Sequence, residues 1–230
     1  MPGRSHTDRE YEAKLGELRE ALLKMAGSVE TMIDESIEAL VERDADKARK
    51  VIRDDGPVNR QEMEIDELCL LVLARWQPMA SDLRFMALAL KMVTDLERIG
   101  DLAVNIAERA EDLAGKPPPP QPYIDIPRMA ELARGMVHDA IDAFVEKDPE
   151  KARAVLGRDD EVDHLYEKVF KDILDIMRSR PDWMHEGIHI QSIAKWLERV
   201  GDHATNLAEE VIFCLLGRDV RHSGHLPDKR

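Results

Sequence analysis

A six-residue phrase occurs twice in this chain, each time on sequence with helical periodicity. Leu96-Glu97-Arg98-Ile99-Gly100-Asp101 continues to Asn105-Ile106-Ala107-Glu108, and Leu197-Glu198-Arg199-Val200-Gly201-Asp202 continues to Asn206-Leu207-Ala208-Glu209. The flanks repeat as well. Glu38-Ala39-Leu40-Val41-Glu42-Arg43-Asp44 matches Asp142-Ala143-Phe144-Val145-Glu146-Lys147-Asp148, and Lys47-Ala48-Arg49 matches Lys151-Ala152-Arg153. Asp55-x-x-Val58-Asn59 matches Asp159-x-x-Val162-Asp163. So many ordered identities mean duplication, which confines the fold to two copies of one helical unit.

Lys116-Pro117-Pro118-Pro119-Pro120-Gln121-Pro122 separates the copies. A run of prolines cannot continue a helix and makes a stiff extended connection. Before it, apolar spacing predicts helices over 7–43, 45–76 and 80–114; after it, over 126–147, 149–179 and 183–216. Asp148-Pro149 marks one start, an N-cap acid followed by proline at the first helical position. Only 4% of residues are aromatic and 35% are charged, as in all-helical chains. The expected fold is all-α, with two repeated three-helix bundles related by a pseudo-twofold. They span 1–116 and 125–217, joined by a linker at 117–124 and followed by a polar tail at 218–230.

The net charge of -14 disfavours nucleic acid as a partner and suits metal cations or a basic protein surface. Cys69 and Cys214 are distant and belong to no Cys-x-x-Cys pair, which points to a reducing compartment without disulfides. Met1-Pro2-Gly3-Arg4-Ser5-His6 opens no apolar leader, and no apolar run approaches the roughly 20 residues a bilayer needs.

Both copies of the phrase break the same helix rules. Interior glycine costs roughly 1 kcal/mol against alanine, and carboxylates four apart repel. At about 100° per residue, with Glu97 at zero, Asp101 falls near 40°, Asn105 near 80° and Glu108 near 20°. Glu198, Asp202, Asn206 and Glu209 repeat that stripe. Leu96, Ile99, Ala103, Ile106 and Ala107 lie opposite and form the core face. Met86, Met92, Met129 and Met136 read as core filling. The acids therefore face outward or into a groove. If the second and third helices of each half are antiparallel neighbours, Asp55 and Asn59 meet Glu97 and Asp101, while Asp159 and Asp163 meet Glu198 and Asp202. Such oxygen ligands suit magnesium, manganese, calcium or iron, while zinc prefers more His or Cys. Gly56-Pro57 is expected to interrupt the Asp55–Asn59 turn, which leaves the second-half set the better formed.

The two phrases, together with Gln77-Pro78-Met79-Ala80-Ser81-Asp82-Leu83-Arg84, resemble the PhoU family of phosphate-uptake regulators from about Tyr11 to Arg218. The resemblance implies two three-helix bundles with multinuclear metal clusters on E(D)-x-x-x-D motifs. The matching positions here are Glu97 and Asp101, Glu198 and Asp202, and Asp159 and Asp163; Asp55 and Asn59 match with one acid replaced by an amide. Iron, manganese, magnesium or zinc are the ions implied. It further implies a cytoplasmic, homodimeric adaptor, peripheral to the inner membrane at most. Its expected partners are a sensor histidine kinase and the ATPase of the phosphate ABC transporter, with uptake restrained when phosphate is plentiful.

Two other readings compete. Glu161-x-x-His164 and Glu186-x-x-His189 have the spacing used in di-iron carboxylate storage or oxidase bundles, but those need acids in the core. A metal-free adaptor would leave the stripe acids with water and basic side chains. No P-loop, His-Glu-x-x-His helix or nucleophile elbow supports an enzyme. His203 is expected to be exposed. The pairing of Arg98 and Arg199, with the acids or with a neighbouring helix end, is left open.

Overall fold

In the computed structural model the described residues are 6–117 and 125–220. The expected linker therefore lies outside them apart from Pro117, as does the tail beyond residue 220. Helix α1 covers His6–Glu42, α2 Ala45–Trp76 and α3 Ser81–Ala114. The second half holds α4 at Asp125–Glu146, α5 at Pro149–Leu156, α6 at Asp159–Ser179 and α7 at Met184–Leu216, with a 3-10 turn at Pro181–Trp183. Five of the six expected helices are continuous. The fifth is broken in two.

The turns that shape the halves repeat as closely as the phrases do. Arg43 and Lys147 end α1 and α4 in left-handed backbone, at φ 60° and 56°. The amide of Asp44 then donates back to Ala39 O at 3.0 Å, and that of Asp148 to Ala143 O at 3.0 Å. This is the six-to-one bond that closes a helix C-terminus. The same two aspartates cap the next helices: Asp148 Oδ1 accepts from the amides of Glu150 and Lys151 at 2.8 and 3.2 Å. Asp148→Ala should cost about 1 kcal/mol, lowering the thermal midpoint by about 2–4 °C. An unchanged midpoint in calorimetry would remove this cap from the fold's determinants.

The expected interruption at Gly56-Pro57 does not occur, because α2 runs through Pro57. Proline destabilises a helical predecessor mainly through contact with its Cβ and amide, and Gly56 has no Cβ. Pro57 also lies on the exposed side, where one lost backbone bond is replaced by water. The break falls in the other half, at Gly157-Arg158, immediately before Asp159. There the Arg158 guanidinium crosses to α4, pairing with Asp139 and reaching Leu132 O at 3.5 Å. Gly135 makes room for it, since a Cβ there would lie 3.0 Å from Arg158 Nη2. The break between α5 and α6 thus coincides with a side chain reaching across to a neighbouring helix, beside a glycine.

Within each half the helices pack side by side, and α3 and α7 also pack along each other across the seam. One apolar core therefore runs through both halves. It contains Leu96, Ile99, Ala103, Ile106 and Ala107, their counterparts Leu197, Val200, Ala204, Leu207 and Ala208, and all four methionines expected there. Gly100 and Gly201 sit where valines of the neighbouring helix arrive. A Cβ would lie 3.5 Å from Val58 Cγ1 at Gly100 and 3.4 Å from Val162 Cγ1 at Gly201. The glycines thus set the close approach of α2 and α6 to the helices bearing the acids.

Candidate metal-binding stripes

The register of α2 on α3 gathers Asp55, Asn59, Glu97 and Asp101 into one electrostatic group. Asn59 Nδ2 donates to Asp55 Oδ2 at 2.8 Å, so the pair shares one helical face despite Pro57 between them. Burial, and then the Asp101 charge, hold the Asp55 carboxyl above its usual range, against the lowering bond from Asn59. Burial and then Asp101 likewise raise Glu97, with Arg98 opposing and Glu62 adding. Glu62 was not anticipated. Its signal was available, seven residues past Asp55 on the same face of α2.

The second half repeats the arrangement with Asp159, Asp163, Glu198 and Asp202. Burial and the Asp163 charge raise Asp159, with Glu198 contributing; a bond from Thr205 Oγ1 at 3.3 Å works the other way. Burial, then Glu198 and Asp159, raise Asp202, with Lys195 opposing and Asp163 adding. Both predicted quartets are therefore brought together by helix packing. The quartets are unevenly covered: the Glu97 and Glu198 side chains are only 16% and 14% exposed, Asp55, Asn59, Asp101 and Asp159 are half-buried, and Asp163 and Asp202 are exposed.

Positive charge reaches each stripe from its own helix. Arg98 contacts Glu97 Oε2 at 3.4 Å and Asp101 Oδ2 at 3.2 Å, which settles its open pairing. Lys195 Nζ meets Glu198 Oε1 at 2.6 Å. Three oxygens nevertheless remain buried without a hydrogen bond: Asp55 Oδ1, Asn59 Oδ1 and Glu198 Oε2. Each is a carboxylate or amide acceptor, and a buried acceptor without a donor is costly. A hard cation would satisfy these atoms and relieve the repulsion together. The donor set fits such an ion. Among the described residues, no three His, Cys, Asp or Glu side chains are already gathered to hold one, so binding entails side-chain rotation.

The stripe's outer members part company with the quartets. Glu108 pairs with Arg109 at 3.4 Å. Asn206 Nδ2 reaches Asp95 Oδ1 at 3.4 Å across the α3–α7 seam. His203 joins it there, its Nδ1 2.8 Å from Asp95 Oδ1 and its side chain 18% exposed. This corrects the expectation that His203 is exposed; the carboxylate facing it comes from the other half, out of reach of local spacing. The di-iron reading finds no ligand set in the core: the buried polar side chains among the described residues are Ser36 and Glu210, and Glu210 meets Lys91 at 2.6 Å. Glu161 and His164 are exposed on α6.

The PhoU domain model matches residues 22–110 and again 126–211, once per half. The chain is 38% identical over 219 residues to the phosphate-specific transport system accessory protein PhoU homolog of Pseudomonas putida, covering 95% of this chain and 86% of that one. The Aquifex aeolicus homolog is 37% identical, covering 94% of this chain and 97% of that one. Among solved structures, PhoU from Pseudomonas aeruginosa superposes with a TM-score of 0.88 at 36% identity, covering 90% of this chain and 100% of that one. The phosphate transport system regulatory protein PhoU from Streptococcus pneumoniae gives 0.83 at 26% identity, covering 91% and 99%. With both halves matched and nearly the full length shared with these relatives, the chain belongs to the PhoU family.

Proposed function

We propose that this protein is a negative regulator of phosphate uptake and of the phosphate-starvation response. It acts in the cytoplasm as a homodimeric adaptor between the sensor histidine kinase and the ATPase of the phosphate ABC transporter. Metal ions bind at Asp55, Asn59, Glu97 and Asp101, and at Asp159, Asp163, Glu198 and Asp202. The relatives are named as accessory proteins of phosphate-specific transport, which supports the regulatory part and an accessory, non-enzymatic role. No helix among the described residues is long and apolar enough to cross a membrane, which is compatible with a peripheral partner of a transporter. The observation that carries the metal part is the pair of equivalent acidic quartets holding buried acceptors without donors.

The test is a phosphatase reporter of the starvation response, read in high phosphate in the native host. Deletion should derepress the reporter and the wild-type gene should restore repression. Glu97→Gln, Asp101→Asn, Glu198→Gln and Asp202→Asn combined should fold but fail to restore it. An unchanged reporter on deletion would overturn the regulatory reading. Full restoration by the fourfold variant would detach metal binding from regulation.

A further inference from the structure

Near the start of α7, two histidines one helical turn apart point their ring nitrogens at each other. His185 Nε2 and His189 Nε2 are 3.3 Å apart. Their ring centroids lie 4.5 Å apart, with the planes inclined at 52°. An ion about 2.05 Å from each nitrogen, the usual zinc–imidazole length, would see them at about 107°, close to the tetrahedral angle. For a direct N–H···N bond the same separation is at the long limit.

We propose that His185 and His189 form a two-imidazole chelate for one borderline transition-metal ion of the zinc(II), nickel(II) or copper(II) class, completed by water. The site differs in kind from the acidic stripes. Its ligands are nitrogens, which select that class over magnesium or calcium. It also lies nine residues from Glu198, about 13 Å along α7. His185 is exposed and gives the ion access, while His189 is half-buried and fixes its position. A ligating imidazole needs an acceptor for its other N–H. His189 Nδ1 and Glu186 Oε2 are both buried without a partner, and Glu186 is an electrostatic neighbour of His189. Glu186 is thus the carboxylate placed to serve as that acceptor. Arg109 also faces His189, but it is held by Asp112 at 2.8 Å, and Asp112 offsets its charge at the ring.

The experiment titrates zinc(II) into the full chain against a chromophoric competitor at neutral pH. Excess magnesium is present to occupy the acidic stripes. Wild type should retain one magnesium-resistant zinc equivalent. His185→Gln, a change at an exposed side chain that leaves the fold intact, should weaken it by more than about tenfold. Glu198→Gln with Asp202→Asn should keep it. Copper(II) electron paramagnetic resonance should show two nitrogen ligands in wild type and fewer in His185→Gln. Absence of a magnesium-resistant equivalent, or its loss in the stripe variant with retention in His185→Gln, would overturn the proposal. Neither result bears on the phosphate reporter, so this inference and the proposed function fail separately.

Discussion

Leu197→Ala should cost about 2–5 kcal/mol and lower the thermal midpoint by about 5–15 °C, while Glu198→Gln, one residue on, should cost less than about 1 kcal/mol. Leu197 is fully buried, and the neighbouring helix approaches so closely at Gly201 that the vacated space cannot readily collapse. Residual cavity volume is what drives the larger losses in such truncations. Glu198 lies on the acidic face, and its contact with Lys195 is a partly exposed pair of small net worth. Urea denaturation of the two variants side by side measures the contrast. Near-equal losses would mean that the phrase does not alternate between a core face and a ligand face, and the stripe assignment would fall with it.

That alternation was readable in the sequence because a 3.6-residue period sorts residues by angle whatever the partner helix does. The quartets were readable because the repeat fixed their register twice. The sequence signals an interrupted turn at Gly56-Pro57 and none at Gly157-Arg158, since proline is a conspicuous local signal and Arg158 is not. At the break sits a contact between Arg158 and Asp139, nineteen residues apart in sequence. The seam was hidden for a related reason. Asp95 meets His203 and Asn206, and Lys91 meets Glu210 at 2.6 Å, all between the halves. The repeat places Trp196 at the position of Asp95 and Leu102 at that of His203. These contacts exist once and not twice, and a reading built on duplication does not find them. The His185–His189 pair also stands outside the repeat, which has Arg84 and Leu88 at those positions, although residues four apart on a helix are neighbours by geometry alone.

Ions that bind the folded stripes and not the unfolded chain should stabilise the protein by about 2.7 kcal/mol per site at a hundredfold excess over the dissociation constant. With both stripes filled, the midpoint should rise by about 10–20 °C at neutral pH. The gain has a defined pH dependence. In the metal-free protein Asp55, Glu97, Asp159 and Asp202 all have folded values raised above the ordinary 3.8 for Asp and 4.5 for Glu. A raised carboxylate favours the folded state when protonated. The penalty these groups impose is therefore complete above their folded values and is relieved as pH falls through them toward 3.8 and 4.5. Metal needs the same groups deprotonated, so its contribution is present at neutral pH and disappears across that interval. The metal-loaded and metal-free midpoints should converge on acidification. Remote acids such as Asp44 and Asp182, whose values are lowered by their hydrogen bonds, affect both curves equally and cancel in the difference. The fourfold Glu97→Gln, Asp101→Asn, Glu198→Gln, Asp202→Asn variant should gain little from metal at any pH. Without metal at neutral pH it should melt a few degrees above wild type, since each relieved repulsion is worth a few tenths of a kcal/mol. A metal-dependent rise that survives in that variant would place the ions elsewhere on the protein and leave the buried oxygens of the stripes without their proposed partner.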